Sequence, residues 1–227
     1  MITVDLQETS VRELNRTLHA LPADTNERLW RVLHPRGAHA VVAGLTQPIE
    51  VTIDGHVGYY CAGMNQAASV TIRGHAGQGL AENIMSGMVR VTGNASQAAG
   101  ASGHGGLVVI EGDASSRCGI SMKGVDIVVR GSVGHMSAFM AQAGHLVVCG
   151  DAGPDLGDSL YEAVLYVRGK VASLGSDCIE KPMGEAHRAT LEALLERAGF
   201  GLDPSEFRRY GSARRLYNFH IDHAGSY

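Results

Sequence analysis

Between Val51 and Val167, apolar residues come in pairs separated by one position, and the pairs recur every 19 residues. The first members are Val51, Val70, Val89, Val108, Ile127, Leu146 and Leu165, and the second are Ile53, Ile72, Val91, Ile110, Val129, Val148 and Val167. Asp54, Arg73, Thr92, Glu111, Arg130, Cys149 and Arg168 follow the second members. This period-two alternation predicts a short β-branched strand with two inward side chains in every repeat. A glycine stands two residues after each second member, at Gly55, Gly74, Gly93, Gly112, Gly131, Gly150 and Gly169. It closes the strand where the backbone turns with no room for a Cβ.

Small residues fill two more columns. Val57, Ala76, Ala95, Ala114, Val133, Ala152 and Val171 form one, and Ala62, Ala81, Gly100, Gly119, Ala138, Gly157 and Ser176 the other. A repeat near 20 residues signals stacked coils, and small columns fit a narrow interior. The predicted fold is all-β, a parallel β-helix of about seven 19-residue coils. Backbone pairing at about 4.8 Å per coil makes a rod on the order of 30 Å long. Of 30 glycines, 22 lie between Gly55 and Gly169, but a flexible linker has no reason to keep the Val/Ile columns. Each coil depends on its neighbours, so both ends need caps.

The ends read as helical, and three regions follow: a cap over residues 1–39, the β-helix over 40–183, and a cap with a docking tail over 184–227. Ser10 and Glu13 fit a capping box, followed by Val11, Leu14, Leu18 and Leu21 on one face. A second helix is predicted after Asn26, carrying Leu29, Trp30, Val32 and Leu33 as far as Pro35, with a poorly matched coil at Ala40–Leu45. Beyond the repeat, a helix runs from about Glu185 to Ala198 with Gly199 as its stop. Asp203 and Pro204 start a short one. The last stretch joins Arg208, Arg209, Arg214 and Arg215 with Tyr210, Tyr217 and Phe219. In so aromatic-poor a chain (5% Phe, Trp and Tyr) it reads as an arm for a partner, a solvated tail being the alternative.

Composition removes several functions. A net charge of −4 gives no nucleic-acid footprint. No apolar run reaches the 18 or so residues of a membrane span. The start, Met1-Ile2-Thr3-Val4-Asp5, lacks the features of a signal peptide, so a cytoplasmic protein is expected. Cys61, Cys118, Cys149 and Cys178 match no metal or cluster spacing. No phosphate-binding loop and no His-Glu-x-x-His motif occurs. His56 and His75 share a column and should stack about 5 Å apart, either as exposed turn residues or as two ligands in want of a third. No catalytic, cofactor or metal residue is assigned. Val109, Val128, Val147 and Tyr166 form an outward apolar stripe, which predicts burial against a partner or against the chain's own terminal helices.

Gly55-His56-Val57-Gly58, Gly74-His75-Ala76-Gly77, Gly131-Ser132-Val133-Gly134 and Gly150-Asp151-Ala152-Gly153 resemble the coils in the C-terminal domain of the large chain of glutamate synthase, a right-handed single-stranded β-helix. The β-helix subunit of formylmethanofuran dehydrogenase, its C-type chain, shares them. Later coils depart from the pattern, with Ser96, Ser115 and Ala172 at the second glycine. Tyr210-Gly211-Ser212-Ala213-Arg214 looks like the segment after the helix in glutamate synthases. Ser159-Leu160-Tyr161-Glu162-Ala163, Val167-Arg168-Gly169-Lys170 and Tyr217-Asn218-Phe219-His220-Ile221-Asp222 are similar to the small β-helix subunit of N-methylglutamate synthases. The resemblance spans nearly the whole chain.

It implies a complex with a glutaminase-like subunit and an FMN-binding synthase subunit that carries an iron–sulfur cluster. Such a complex joins methylamine and glutamate into N-methylglutamate and ammonia. The β-helix chain supplies no catalytic side chain there and fixes the geometry of the others. The Val109 stripe together with Arg214, Arg215, Tyr217 and Phe219 are then interface candidates. The alternatives are the corresponding β-helix subunit of a formylmethanofuran dehydrogenase-type complex, with tungsten or molybdenum partners, and a stand-alone β-helix enzyme.

Overall fold

The structure, a computed structural model, describes residues 1–215. In chain order its elements are β1 (Ile2–Asp5), α1 (Val11–His19), β2 (Leu29–Leu33), β3 (Glu50–Asp54), β4 (Ser69–Arg73), β5 (Met88–Val91) and β6 (Leu107–Ile110). There follow β7 (Lys123–Val129), β8 (Ala143–Val148), β9 (Val164–Val167), β10 (Cys178–Lys181), α2 (Glu185–Ala198), a 3-10 turn (Pro204–Glu206) and β11 (Arg208–Ser212).

The strands form one sheet in the order β1-β2-β3-β4-β5-β6-β7-β8-β9-β11-β10. From β1 to β9 every pairing is parallel. Val51 stands on Val70, then Val89, Val108, Ile127, Leu146 and Leu165, so the 19-residue column is the physical register. The protein is a parallel β-helix.

A second ladder of single parallel bridges runs through Val57, Ala76, Ala95, Ala114, Val133, Ala152 and Val171. Within a coil, successive amides bond in opposite directions. Ala76 N–H donates up to Asn94 O at 2.9 Å, and Gly77 N–H donates down to Val57 O at 3.0 Å. Both members of each strand pair are fully buried, and the two small columns close the far walls of the same core.

The glycine column is required by close approach more than by backbone conformation. A Cβ on Gly74 would lie 2.6 Å from Gly55 O, and one on Gly93 would lie 2.6 Å from Gly74 O. Of the seven, Gly55 alone has a left-handed φ, at 134°. The left-handed residues lie on the far corner, where Tyr60, Ala62 and Met64 have φ of 58°, 54° and 56° and the later coils repeat the pattern.

At the N-terminus, the capping box forms as expected: Ser10 accepts from Glu13 N–H and Glu13 reaches back to Ser10 N–H. Leu14 and Leu18 of α1 cover the first coil. Asn15 holds the helix there, donating to Ala40 O at 2.8 Å and accepting from Val42 N–H at 2.9 Å.

The helix predicted after Asn26 is instead β2. Its residues alternate, with Trp30 and Val32 inside and Leu29 outside, and pairing with both β1 and β3 outweighs a weak helical spacing. The β-helix sheet therefore begins at Ile2, inside the region read as a helical cap. The coil suspected at Ala40–Leu45 is real, since Ala40 N–H bonds Tyr59 O and Gly44 N–H bonds Gly63 O, each at 2.7 Å.

At the other end, α2 has the bounds read from the sequence and stops at left-handed Gly199. Asp203 caps the 3-10 turn by accepting from Ser205 N–H at 2.8 Å. Part of the supposed arm is sheet. β11 runs antiparallel between β9 and β10, Tyr210 is buried, Arg208 donates to Gly169 O and Arg209 to Pro182 O.

Candidate functional site

The polar column that follows the glycines is the best place to look for chemistry, and its acceptors are engaged by the fold. His56 Nδ1 accepts from His75 N–H at 2.9 Å, and His75 Nδ1 accepts from Asn94 N–H at 2.8 Å. The relay continues from Asn94 Oδ1 to Asp113 N–H, Asp113 Oδ1 to Ser132 N–H, Ser132 Oγ to Asp151 N–H and Asp151 Oδ1 to Lys170 N–H. Each side chain thus ties down the coil after its own. A short acceptor is what this position needs, which explains His, Asn, Asp and Ser in one column.

The two rings stack at 4.9 Å and 14°, near the separation expected from the period. With Nδ1 accepting, the neutral ring carries its proton on Nε2, so neither Nδ1 is free to ligate a metal. Among the described residues no group of three or more His, Cys, Asp or Glu is placed to hold a metal ion. His75→Asn keeps an acceptor at the right reach, as Asn94 shows, and is expected to hold the melting temperature. His75→Leu removes the acceptor and should cost about 1 kcal/mol, read by thermal melting.

The cysteines are all free and buried. Burial pushes the Cys118 and Cys178 thiols up to about 12 and Cys149 up to about 11, and raises Cys61 as well. Each sits on a different coil, with Arg130 and Arg168 near Cys149 and Asp158 and Asp177 near Cys178. Such thiols do not fit an iron–sulfur cluster, which needs gathered thiolates, or a nucleophile, which needs a lowered pKa. In native protein the four should resist a thiol-specific chromogen at pH 8 and react together on denaturation.

The sign of the pH effect follows. The folded state keeps protons that the unfolded chain releases, so this stability is complete below the ordinary thiol pKa. It is lost as pH rises from about 9 towards about 12. The melting temperature should fall across that window, and less steeply in Cys118→Ala.

The stripe Val109, Val128, Val147 and Tyr166 is fully buried, and the cover is α2. Leu191, Leu194, Leu195 and Ala198 lie on it, with Phe200 and Phe207 beyond the helix end. Polar contacts pin the edges: Arg90 donates to Ala198 O at 2.9 Å, a cation at a helix C-terminus, and Arg197 pairs with Asp126 at 3.2 Å. As a partner interface the stripe is therefore withdrawn, because the chain's own helix leaves it no free surface. Among the other candidates, Arg214 pairs with Glu162 at 2.8 Å and Arg215 N–H donates to Asp177 Oδ1. Tyr217 and Phe219 lie outside the described residues, as do His220, Asp222 and His223.

One constellation escaped the sequence reading. Asp126 and His145, 19 residues apart in one column, bond at 2.8 Å through Nδ1, an arrangement that orients a histidine in many hydrolases. Here the ring stacks on Tyr166 at 6.2 Å and Arg197 takes the second carboxylate oxygen. Among the described residues no serine, threonine or cysteine hydrogen-bonds His145. The Tyr166 hydroxyl meets His187 Nδ1 at 3.4 Å, and burial raises Tyr166 to about 12 while desolvation lowers His187. These groups join α2 to the sheet and hold no nucleophile.

Among the described residues no helix is long and apolar enough to cross a membrane. No protein-family model matches the chain, and no solved structure does. A protein of Rhizobium meliloti (strain 1021) named Protein GlxC is 59% identical over 228 residues, covering 100% of both chains. Identity at that level along the full length means a shared fold and descent, and the chain belongs to the GlxC family.

Proposed function

We propose that this chain is a non-catalytic scaffold subunit of a glutamate-synthase-like N-methylglutamate synthase, which converts methylamine and glutamate into N-methylglutamate and ammonia. The observation that carries the reading is the column from His56 to Asp151, whose acceptors all serve the next coil's backbone. The polar groups nearest to a catalytic array hold the rod together. The remaining output of such a molecule is shape: a stiff rod with a fixed spacing between surfaces. The coil motifs and the segments around Tyr161 and Tyr210 support the assignment to this complex. FMN and an iron–sulfur cluster then belong to a partner subunit, and a glutaminase-like subunit supplies the other neighbour.

The experiment is purification of the native assembly through a tag on this chain, followed by its visible spectrum and an assay with methylamine and glutamate. Co-purifying subunits in fixed ratio, a combined flavin and iron–sulfur absorption and turnover are expected. A chain that purifies alone, or partners that carry tungsten or molybdenum in place of flavin, would overturn the reading.

A further inference from the structure

With the stripe sealed by α2, exposed large apolar side chains remain on the early coils, besides Met1, Leu29, Met140, Tyr161 and Ile179 elsewhere. Tyr59, Tyr60, Met64 and Met85 are 51%, 46%, 56% and 47% exposed, on the left-handed corner of the early coils. Beside them lies a groove of about 300 Å³ with Ala40, Ala43, Tyr60, Gly63 and Met64 along its walls and Glu82 and Asn83 at its polar side. Tyr59 is held rigid: it stacks on His39 at 4.5 Å, its N–H donates to His39 Nδ1 at 2.9 Å, and Tyr60 meets it edge-on at 6.5 Å.

Two further facts bear on this corner. Tyr60 and Met64 occupy left-handed backbone, which costs about 1–2 kcal/mol for a residue with a Cβ. One coil later the same columns hold Gly79 and Asn83, the residue types that relieve this cost, whereas later coils again carry large residues there in left-handed backbone, at Arg117, Met136 and Met140. The Tyr60 ring lies over Gly79, where a Cβ would come within 2.6 Å of it, and still keeps 46% of its surface open.

The second fact is charge. Arg12, Arg16 and His19 line an adjoining depression on the open face of α1, and among the described residues Arg12 and Arg16 make no salt bridge. Asn15 and His19 bond the carbonyls of Ala40 and Ala43, so α1's basic row and the apolar groove share a wall. A basic row is out of character for a chain of net charge −4.

We infer that this corner docks an acidic amphipathic segment of a partner protein, with apolar side chains in the Tyr60–Met64 groove and carboxylates against Arg12 and Arg16. Aromatic and methionine side chains are favoured at interface cores, and charged residues at the rim set register and on-rate. The inference rests on the scaffold reading above and names the docking face that reading requires.

The test uses the full chain, tagged, in its native host. Tyr60→Asn with Met64→Asn gives this coil the residue type of Asn83 in left-handed backbone, and Arg12→Glu with Arg16→Glu reverses the row. Thermal melting of the Glu variant should stay within about 2 °C of the wild type, and the Asn variant should match the wild type, since relief of left-handed backbone offsets the lost contact between the Tyr60 ring and Gly79. Partner retention at about 0.15 M salt should drop about tenfold in both, equivalent to about 1.4 kcal/mol. Full retention by the Asn variant overturns the groove. Stronger retention by the Glu variant overturns the acidic partner, and conversion of the tagged chain from dimer to monomer makes the occupant a second copy instead. If wild-type chain holds no partner at all, the scaffold reading fails first and the docking face falls with it.

Discussion

Val128→Arg is expected to lower the melting temperature by about 10 °C and to free α2 from the sheet. Val128 has no exposed surface and lies among Val109, Val147 and the leucines of α2. An unpaired charge buried there costs about 3–5 kcal/mol, and for a chain of this size each kcal/mol shifts the melting temperature by about 2–4 °C. The chain's cheapest escape is to undock α2, which exposes the stripe and lets the guanidinium reach water. Protease cleavage between residues 184 and 200 should therefore rise at temperatures where the rod stays folded. A variant that melts within about 2 °C of the wild type, with α2 still protected, would mean that the helix does not cover this stripe.

Gly112→Val should be still more damaging. Its Cβ would fall on Asn94 Oδ1 and lie 2.8 Å from both the C and O atoms of Gly93. The neighbour is backbone, so the clash is relieved only by parting two coils. Parting them also breaks the bond from Asp113 N–H to Asn94 Oδ1. Stability in a coil stack is close to a nearest-neighbour sum, so a broken junction in mid-rod uncouples the two halves. The expected outcome is a loss above about 4 kcal/mol, seen as insoluble protein or two separated melting steps. Gly201 has nothing within 4 Å of its would-be Cβ, and Gly201→Val should melt like the wild type. Equal stability of both variants would show that the coils are not in the described register.

The rod was readable because its interior writes itself into the chain every 19 residues. Columns through Val51 and Ile53 became paired strands without adjustment, and the leucines of α2 turned up on its buried side. The strand of the first coil was hidden because it lacks the marks of the others. Trp30 sits under Val51 at a spacing of 21, and His34, with φ of 52°, stands where the glycine would be. β11 was hidden for another reason. It pairs antiparallel, so no period announces it, and its arginines read as part of a docking arm or a solvated tail although their guanidinium groups bond main-chain carbonyls. The histidine column was visible, but its role was not: only the positions of the facing amides show that Asn94, Asp113 and Ser132 do the same work. The proposed docking corner went unread because the columns of Tyr60 and Met64 change residue type from coil to coil.

The central claim is that this chain acts through its shape while other chains carry the chemistry. Add-back measures that directly. The remaining subunits are purified from cells lacking this chain, assayed with methylamine and glutamate, and assayed again after the isolated chain is returned in equal amount. The account expects no turnover from the chain alone, little from the remaining subunits, and recovery on mixing. Full turnover without the chain, or turnover by the chain in isolation, would contradict it.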